Sequence, residues 1–263
     1  MKTFDDSAYY DKIKKLNITH YTGEIPYYAN ASFRRVEEKI VRSLKTNSKI
    51  LDLGCGSGRF SIGASKFVGS VTGLDITPSA IEASNNRAGN LGISNTSFIV
   101  GDMTKIPFED NTFDYVFCPR FSINAVATLS QRQKAINEMI RVVRPGGKIF
   151  IESFNNLYLG RGPLFLLQNL SRDVWRYFKI ILNRLSRKEY SGLLPGDIVY
   201  KANKVTNASV GYAHLPTIFE LRKSIPLSIP HIFYSIPQIM GRNKFDIFKY
   251  FRYSIWIFLS KPN

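Results

Sequence analysis
Short apolar runs recur through the first 155 residues at intervals that suit a buried sheet. They are KILDL at 49–53, SVTGLD at 70–75, TSFIVGD at 96–102, FDYVFC at 113–118 and KIFIESF at 148–154. Runs of this length, rich in β-branched and aromatic residues and bounded by glycine or aspartate, predict strands. Helical spacing fills the gaps. From Ser32, SFRRVEEKIVRSL sets Val36, Ile40 and Leu44 on one face, and GRFSIGASKF and a stretch from about Ser130 to Val143 predict further helices. Thr77-Pro78 predicts a helix start, with Thr77 as N-cap and proline in the first turn. Arg144-Pro145-Gly146-Gly147 predicts a turn. Five strands alternating with helices or long crossovers predict an α/β fold, a doubly wound, mostly parallel sheet.

After residue 154 the alternation breaks. Between 164 and 185, Leu167, Leu170, Val174, Phe178, Ile181 and Leu185 fall on one helical face, with Arg172, Arg176, Lys179, Arg184 and Arg187 largely elsewhere. HLPTIFELRKSI predicts a final helix, and aromatic stretches near 231–236 and 250–260 predict two last strands. The chain reads as a single domain, 1–263, in four parts. These are an N-terminal helical region (1–47), the alternating core (48–155), a basic amphipathic insertion (156–212) and a C-terminal helix with the last strands (213–263).

Composition narrows the partners. With 263 residues and 44% hydrophobic positions the chain can bury one large core. Its 36 Lys+Arg against 20 Asp+Glu, a formal charge of +16, favour an anionic partner such as RNA, an anionic membrane surface or an acidic substrate. The insertion concentrates this charge: Arg161, Arg172, Arg176, Lys179, Arg184, Arg187 and Lys188 face only Asp173 and Glu189 between 157 and 190. Three readings compete for it. A lid burying its apolar face over an acceptor pocket comes first, a peripheral contact of 164–188 with an anionic membrane second, and an RNA contact third. Two cysteines, Cys55 and Cys118, are too few for a disulfide framework or a zinc site and suit a reducing cytoplasm; no metal is expected. MKTFDDSAYYDKIKK lacks the apolar core of a signal peptide, and Pro226, Pro230 and Pro237 make 225–240 a poor spanning helix.

Candidate chemistry begins at LDLGCGSGR, 51–59. A glycine loop between a strand and a helix usually lets a ligand approach the backbone. A dinucleotide fits poorly, because its fingerprint needs glycine at the sixth place, which is Arg59, and Asp52 would repel a diphosphate. A ligand with a cationic end suits Asp52 better. Asp75, 21 positions after Gly54, ends the second strand, where a carboxylate can accept from both hydroxyls of a ribose; Ile76 beside it offers an apolar face. Asp102 can accept from an exocyclic amine, with Met103 as apolar surface, and Cys118-Pro119-Arg120 end the fourth strand. The expected ligand has an adenine, a ribose and a cationic amino-acid-like tail, without phosphate.

The motifs ILDLGCGSG, VTGLDITPSAIEAS, IVGDMTKIPFEDNTFDYVF and INEMIRVVRPGGKIFIESF resemble those of the class I S-adenosylmethionine-dependent methyltransferases, of the broad type that includes the ubiquinone-biosynthesis enzymes. The resemblance covers about 48–155 and, more weakly, HLPTIFELRKSI and SIWIFLSKP. It implies a Rossmann-like sheet of seven strands, the last antiparallel, and S-adenosylmethionine as cofactor. It implies that Gly54, Gly56 and Gly58 shape the methionine pocket, that Asp75 holds the ribose and that Asp102 and Met103 frame the adenine. Cys55 is expected as a small filler within that loop, and Pro119 and Arg120 complete the cofactor set. The N-terminal region is expected to fold over the cofactor as a lid.

Acceptor contacts are expected in CPRFSINAV, which lacks the Asn/Asp-Pro-Pro-aromatic pattern of enzymes that methylate amino groups of nucleic-acid bases. Cys118 is expected in the core. Tyr10, Tyr28, Phe121 and Asn124 are candidates for substrate binding, with Tyr9 and Tyr27 as further residues at a mouth. No catalytic residue is identified; His20 and His214 are the weak candidates for acid–base work, and His231 lies in an aromatic stretch. The function expected is methyl transfer to a small, hydrophobic or lipid-linked acceptor. A tRNA-modifying methyltransferase using the basic surface, or a non-catalytic scaffold that binds the cofactor, are the alternatives.

Overall fold
The computed structural model describes residues 6–29, 31–156, 163–185, 193–200, 210–242, 246 and 252–263. Its elements are, in chain order, α1 (Asp6–Ala29), α2 (Arg35–Val41), β1 (Lys49–Leu53), α3 (Arg59–Ala64), β2 (Ser70–Asp75), α4 (Pro78–Asn90), β3 (Thr96–Val100) and β4 (Phe113–Cys118). A short 3-10 helix, Ser122–Ala125, leads to α5 (Leu129–Val142), β5 (Val143–Phe154) and α6 (Pro163–Leu185). The chain closes with β6 (Asp197–Tyr200), β7 (Gly211–His214), α7 (Ile218–Lys223), β8 (His231–Ser235), α8 (Ile236–Ile239) and β9 (Ser254–Ser260).

Seven strands form one sheet in the order β3-β2-β1-β4-β5-β9-β8. All neighbours from β3 to β5 are parallel, and β9 runs antiparallel to both β5 and β8. This is the doubly wound, Rossmann-like sheet with its last strand reversed. The strand order turns back between β1 and β4, and ligands of such sheets bind beyond the carboxyl ends of the strands at that point.

Period-two alternation splits the central strands between two cores. Leu51, Leu53, Val116, Cys118, Ile149, Ile151, Ile255 and Ile257 face one side, with Met139 and Ile136 of α5 and Tyr9, Tyr10 and Ile13 of α1. Ile50, Phe117, Phe150 and Trp256 face the other, under Val36 and Ile40 of α2 and Phe60 of α3. On that second side Phe60, Phe117, Phe150 and Phe258 form a run of rings with centroids 4.6–4.8 Å apart. Burial on both faces explains why these strands read as continuous apolar runs.

Several local expectations are corrected. Thr77 is the N-cap residue of α4, but its side chain makes no capping bond. The third strand stops at Val100, short of Gly101 and Asp102, although Gly101 N–H still donates to the Asp75 carbonyl (2.9 Å). The RPGG turn interrupts β5 rather than preceding it: Val143 pairs with Phe113, then the register jumps to Lys148 opposite Tyr115, and Gly146 takes φ +72°. β6 and β7 form a two-stranded antiparallel sheet that the hydrophobic pattern does not announce. His214 ends β7 instead of leading α7, which is held by its own cap, Thr217 accepting from Glu220 N–H, and α7 is not the final helix, since Ser235 caps α8 after it.

The lid expected over the acceptor pocket from 157–190 does not match the orientation of α6, the part of that segment the structure describes. Its apolar face is exposed, Leu167 by 60%, Val174 by 66% and Ile181 by 54%. The polar face makes the attachments instead, since its Asp173 and Arg176 satisfy backbone groups at 194–197. Arg161, Arg187, Lys188, Glu189 and residues 250–251 lie outside the described residues, as does the side chain of Arg184.

Candidate functional site
Beyond the carboxyl ends of β1, β2, β3 and β4 lies a cleft with about 1180 Å³ of empty space, its mouth included. Its floor is the glycine loop. Gly54, Gly56 and Gly58 take φ +71°, +53° and +74°, a region that side chains other than glycine enter at a cost. The amides of this loop point inward. Gly54 and Cys55 N–H donate to Leu74 O (2.8 and 3.2 Å), Gly56 N–H donates to Asp75 Oδ2 (2.9 Å), and Gly58 N–H donates to Cys55 O (3.0 Å). Four donors that a phosphate would need are therefore spent within the fold, which agrees with a ligand that lacks phosphate.

Asp52 is fully buried, and Ser61 Oγ donates to its Oδ2 at 2.6 Å. Among the described residues nothing bonds its Oδ1. Burial pushes its carboxyl up to about 7, because taking the anion out of water is costly without a partner. A buried carboxylate oxygen without a donor, in a residue lining the cleft, suits a cationic group. Asp75 accepts from Gly56 N–H and, through Oδ1, from Thr77 N–H (2.9 Å), which fixes its carboxylate at the end of β2. Cys55 Sγ lies 2.9 Å from where a Cβ on Gly73 would stand, a small group filling a tight space.

Asp102 is more engaged than its sequence context suggests. Tyr10 O–H (2.9 Å), Thr104 N–H and Thr104 O–H (both 2.8 Å) donate to Oδ1, and Lys14 Nζ lies 3.3 Å from Oδ2. Burial alone would raise its pKa, but the two bonds from Thr104 and the one from Tyr10 outweigh it and hold the group below the usual carboxylate range. Any amine that takes Asp102 must share Oδ2 with Lys14.

The roof comes from α1. Tyr10, Lys14, Asn17, Tyr21, Ile25 and Tyr28 line the cleft at spacings of three and four, one continuous helical stripe. That spacing was present in the sequence and is the signal that would have found Lys14, Asn17, Tyr21 and Ile25. Burial first, then Tyr200, pushes the Tyr28 phenol up to about 12. Under the floor, sequence reasoning missed a second network. Arg59, which lines the cleft, forms a double contact with buried Glu37 (2.5 and 2.7 Å). Arg34 bridges Glu37 and the equally buried Glu152 (2.7 and 2.5 Å). Glu152 Oε2 also accepts Arg120 N–H at 2.8 Å, and so ties the end of β4 to this network.

The structure thus brings Asp52, Gly54, Cys55, Gly56, Asp75, Ile76, Asp102, Met103, Pro119 and Arg120 around one cleft, with Tyr10 and Tyr28 above them. It places five other candidates away from the lining. Gly58 caps α3 and packs on Phe98. Phe121, at φ +66°, stacks on Phe154 with centroids 3.8 Å apart. Asn124 is buried and donates to His214 O (2.7 Å). Both ring nitrogens of His214 are engaged, Nδ1 with Asp197 and Nε2 with Glu220 (2.8 Å each). His20 is buried between the rings of Tyr21 and Tyr200. Of the further mouth residues, Tyr27 is half exposed and Tyr9 turns to Asp197 (2.6 Å). Among the described residues no group of three His, Cys, Asp or Glu could hold a metal ion.

S-adenosylmethionine, the cofactor that the sequence resemblance implies, fits these groups. Its cationic tail answers the orphaned oxygen of Asp52, its ribose the fixed carboxylate of Asp75, and its missing phosphates the inward-turned amides.

Comparison with known proteins agrees. The family described as methyltransferase domain matches residues 44–181. A sterol 4-C-methyltransferase of Caenorhabditis elegans is 35% identical over 117 residues, 44% of this chain and 33% of the relative. A demethylmenaquinone methyltransferase of Bacillus cytotoxicus is 30% identical over 169 residues, 60% of this chain and 66% of the relative. The matches therefore span a third and just under two thirds of these two relatives. Among solved structures, an S-adenosylmethionine-dependent methyltransferase of Methanosarcina mazei superposes with a TM-score of 0.60 at 21% identity, over 88% of this chain and 99% of its own.

Proposed function
This chain belongs to the methyltransferase-domain family, and from that premise we propose that it moves the methyl group of S-adenosylmethionine to a small, hydrophobic or lipid-linked acceptor. The observation that carries the reading is the pairing of two walls: a floor suited to a cationic, phosphate-free nucleoside, and a roof of Tyr10, Tyr21, Ile25 and Tyr28 above it. The bound cofactor supplies an electrophilic methyl group and its own leaving group. The chain's residues then have to bind, align and desolvate the acceptor. Asp52 would hold the cationic tail of the donor and Asp75 its ribose, and the glycine loop would admit it closely. The α1 stripe excludes water and offers aromatic surface to the acceptor. Tyr28, with its phenol pushed up to about 12, stays protonated near neutral pH and orients by donating a hydrogen bond. The two relatives named for sterol and demethylmenaquinone act, by those names, on hydrophobic molecules, and this supports the acceptor class.

Two measurements test the proposal. Calorimetric titration with S-adenosylmethionine should show binding that Asp75→Ala abolishes; no binding by the wild type, or equal affinity in the variant, overturns the cofactor reading. Mass spectrometry of metabolites, lipids and RNA after deletion of the gene should show a hydrophobic species lighter by one methyl group. An undermethylated tRNA nucleoside in its place would assign the acceptor to RNA.

A further inference from the structure
Helix α6 is amphipathic in the reverse sense to a helix of a water-soluble fold, which turns its apolar side inward. Leu167, Val174, Trp175, Tyr177, Phe178 and Ile181 are exposed by 49–66% and share one side of the helix. The other side is bonded to the protein. Asp173 accepts from Asn156 Nδ2 (3.1 Å) and Gly196 N–H (3.0 Å), and Arg176 donates to Leu194 O (3.0 Å) and Asp197 O (2.5 Å). A contiguous apolar face held outward by polar anchors marks an interaction surface.

We propose that this face docks on an anionic lipid bilayer. Charge selects the occupant. Lys179 lies at the border of the apolar side, its Nζ 5.4 Å from the centroid of the Trp175 ring, whereas Arg172 is turned toward Asp173, its Nε 3.0 Å from Oδ1. Asp173 is the single acid of α6, and it is turned to the protein and bonded there. Two copies meeting through this face would bring together the Lys179 borders of two chains that each carry +16. Anionic headgroups neutralise those borders while the apolar side enters the acyl boundary. No described helix is long and apolar enough to cross a membrane, so α6 would lie in the interface plane. It is also tied to the cleft: Asp197, which receives Arg176 at its carbonyl, receives the Tyr9 hydroxyl of α1 at its carboxylate (2.6 Å).

Vesicle flotation tests the proposal with phosphatidylcholine mixed with phosphatidylglycerol, against pure phosphatidylcholine, across a salt series. The chain has two tryptophans, and Trp256 is fully buried, so a fluorescence change reports Trp175. The expected result is flotation with anionic vesicles that weakens with salt, a blue shift, and quenching by brominated acyl chains. Trp175→Phe should keep flotation and lose the quenching. Val174→Asp with Phe178→Asp should weaken flotation by more than about tenfold, with an unchanged thermal midpoint because both positions are exposed. Three outcomes overturn the proposal: no flotation with anionic vesicles at low salt, flotation without quenching of Trp175, or self-association that the double variant abolishes while vesicles are ignored. None of these readouts uses methyl transfer or cofactor binding, so failure here and failure of the proposed function are separately visible.

Discussion
At the scale of the residue, Asp52 has the clearest consequence. Its carboxyl is pushed up to about 7 by burial, and a bound cation would favour its ionised form. Binding below that pH must first expel a proton, so cofactor affinity should rise with pH through about 7 and then level off. Calorimetry across pH reads this, and Asp52→Asn should flatten the profile and weaken binding by about ten- to a hundredfold, the worth of a charged hydrogen bond. Stability moves in the opposite sense. Folding raises this pKa from 3.8, so the stability tied to the neutral form is complete below about pH 4 and lost as pH rises through 7. The free Asp52→Asn protein should lose less stability over that window in urea titrations. Two glycines of the loop should also separate. A Cβ on Gly54 would stand 2.5 Å from Ser122, whereas one on Gly56 meets nothing within 4 Å. Both alanines carry left-handed strain of about 1 kcal/mol. Gly54→Ala should cost clearly more in thermal stability, and Gly56→Ala should act mainly on cofactor binding, its new methyl entering the cleft.

At the scale of the element, Arg34 joins α2 to β5. Glu37 and Glu152 are both fully buried, and Arg34 contacts each. Burial would raise Glu37, but Arg59 and then Arg34 outweigh it and hold the carboxyl below its usual range. Arg34→Ala takes the cation from buried Glu152 and leaves Glu37 with Arg59 alone, and should cost about 3–5 kcal/mol by urea unfolding. Arg34→Lys should recover little, since a single ammonium cannot make two double contacts. The same loss should loosen the segment after β4, because Glu152 receives Arg120 N–H. Amide exchange at 119–121 reads this directly.

At the scale of the whole molecule, the cleft is assembled from α1 and the ends of four strands, so a ligand that fills it binds only the folded chain. Linkage then stabilises the fold by about 2.7 kcal/mol at a hundredfold excess over Kd. For a domain of this size that corresponds to a rise in Tm of about 5–10 °C. Differential scanning fluorimetry with S-adenosylhomocysteine should show such a shift in the wild type and none in Asp75→Ala.

The strands, their parallel order and the glycine loop were legible in sequence because they depend on local terms. KILDL, SVTGLD and FDYVFC coincide with β1, β2 and β4, since short, mainly apolar runs bounded by turn-forming residues mark strands. The floor of the cleft was legible for a related reason: acids and glycines at strand ends stand at fixed offsets from the strands that carry them. What sequence alone left open depended on partners distant along the chain. A lid from the N-terminal region is expected, with Tyr10 and Tyr28 at a mouth, but only the packing of α1 over the strand ends adds Lys14, Asn17, Tyr21 and Ile25 to the roof. His214 reads as a free base until Asp197 and Glu220 close on its two nitrogens. α6 reads the same whether its apolar side turns inward or outward. Periodicity records that a face exists, and only the anchors Asp173 and Arg176 decide which way it points.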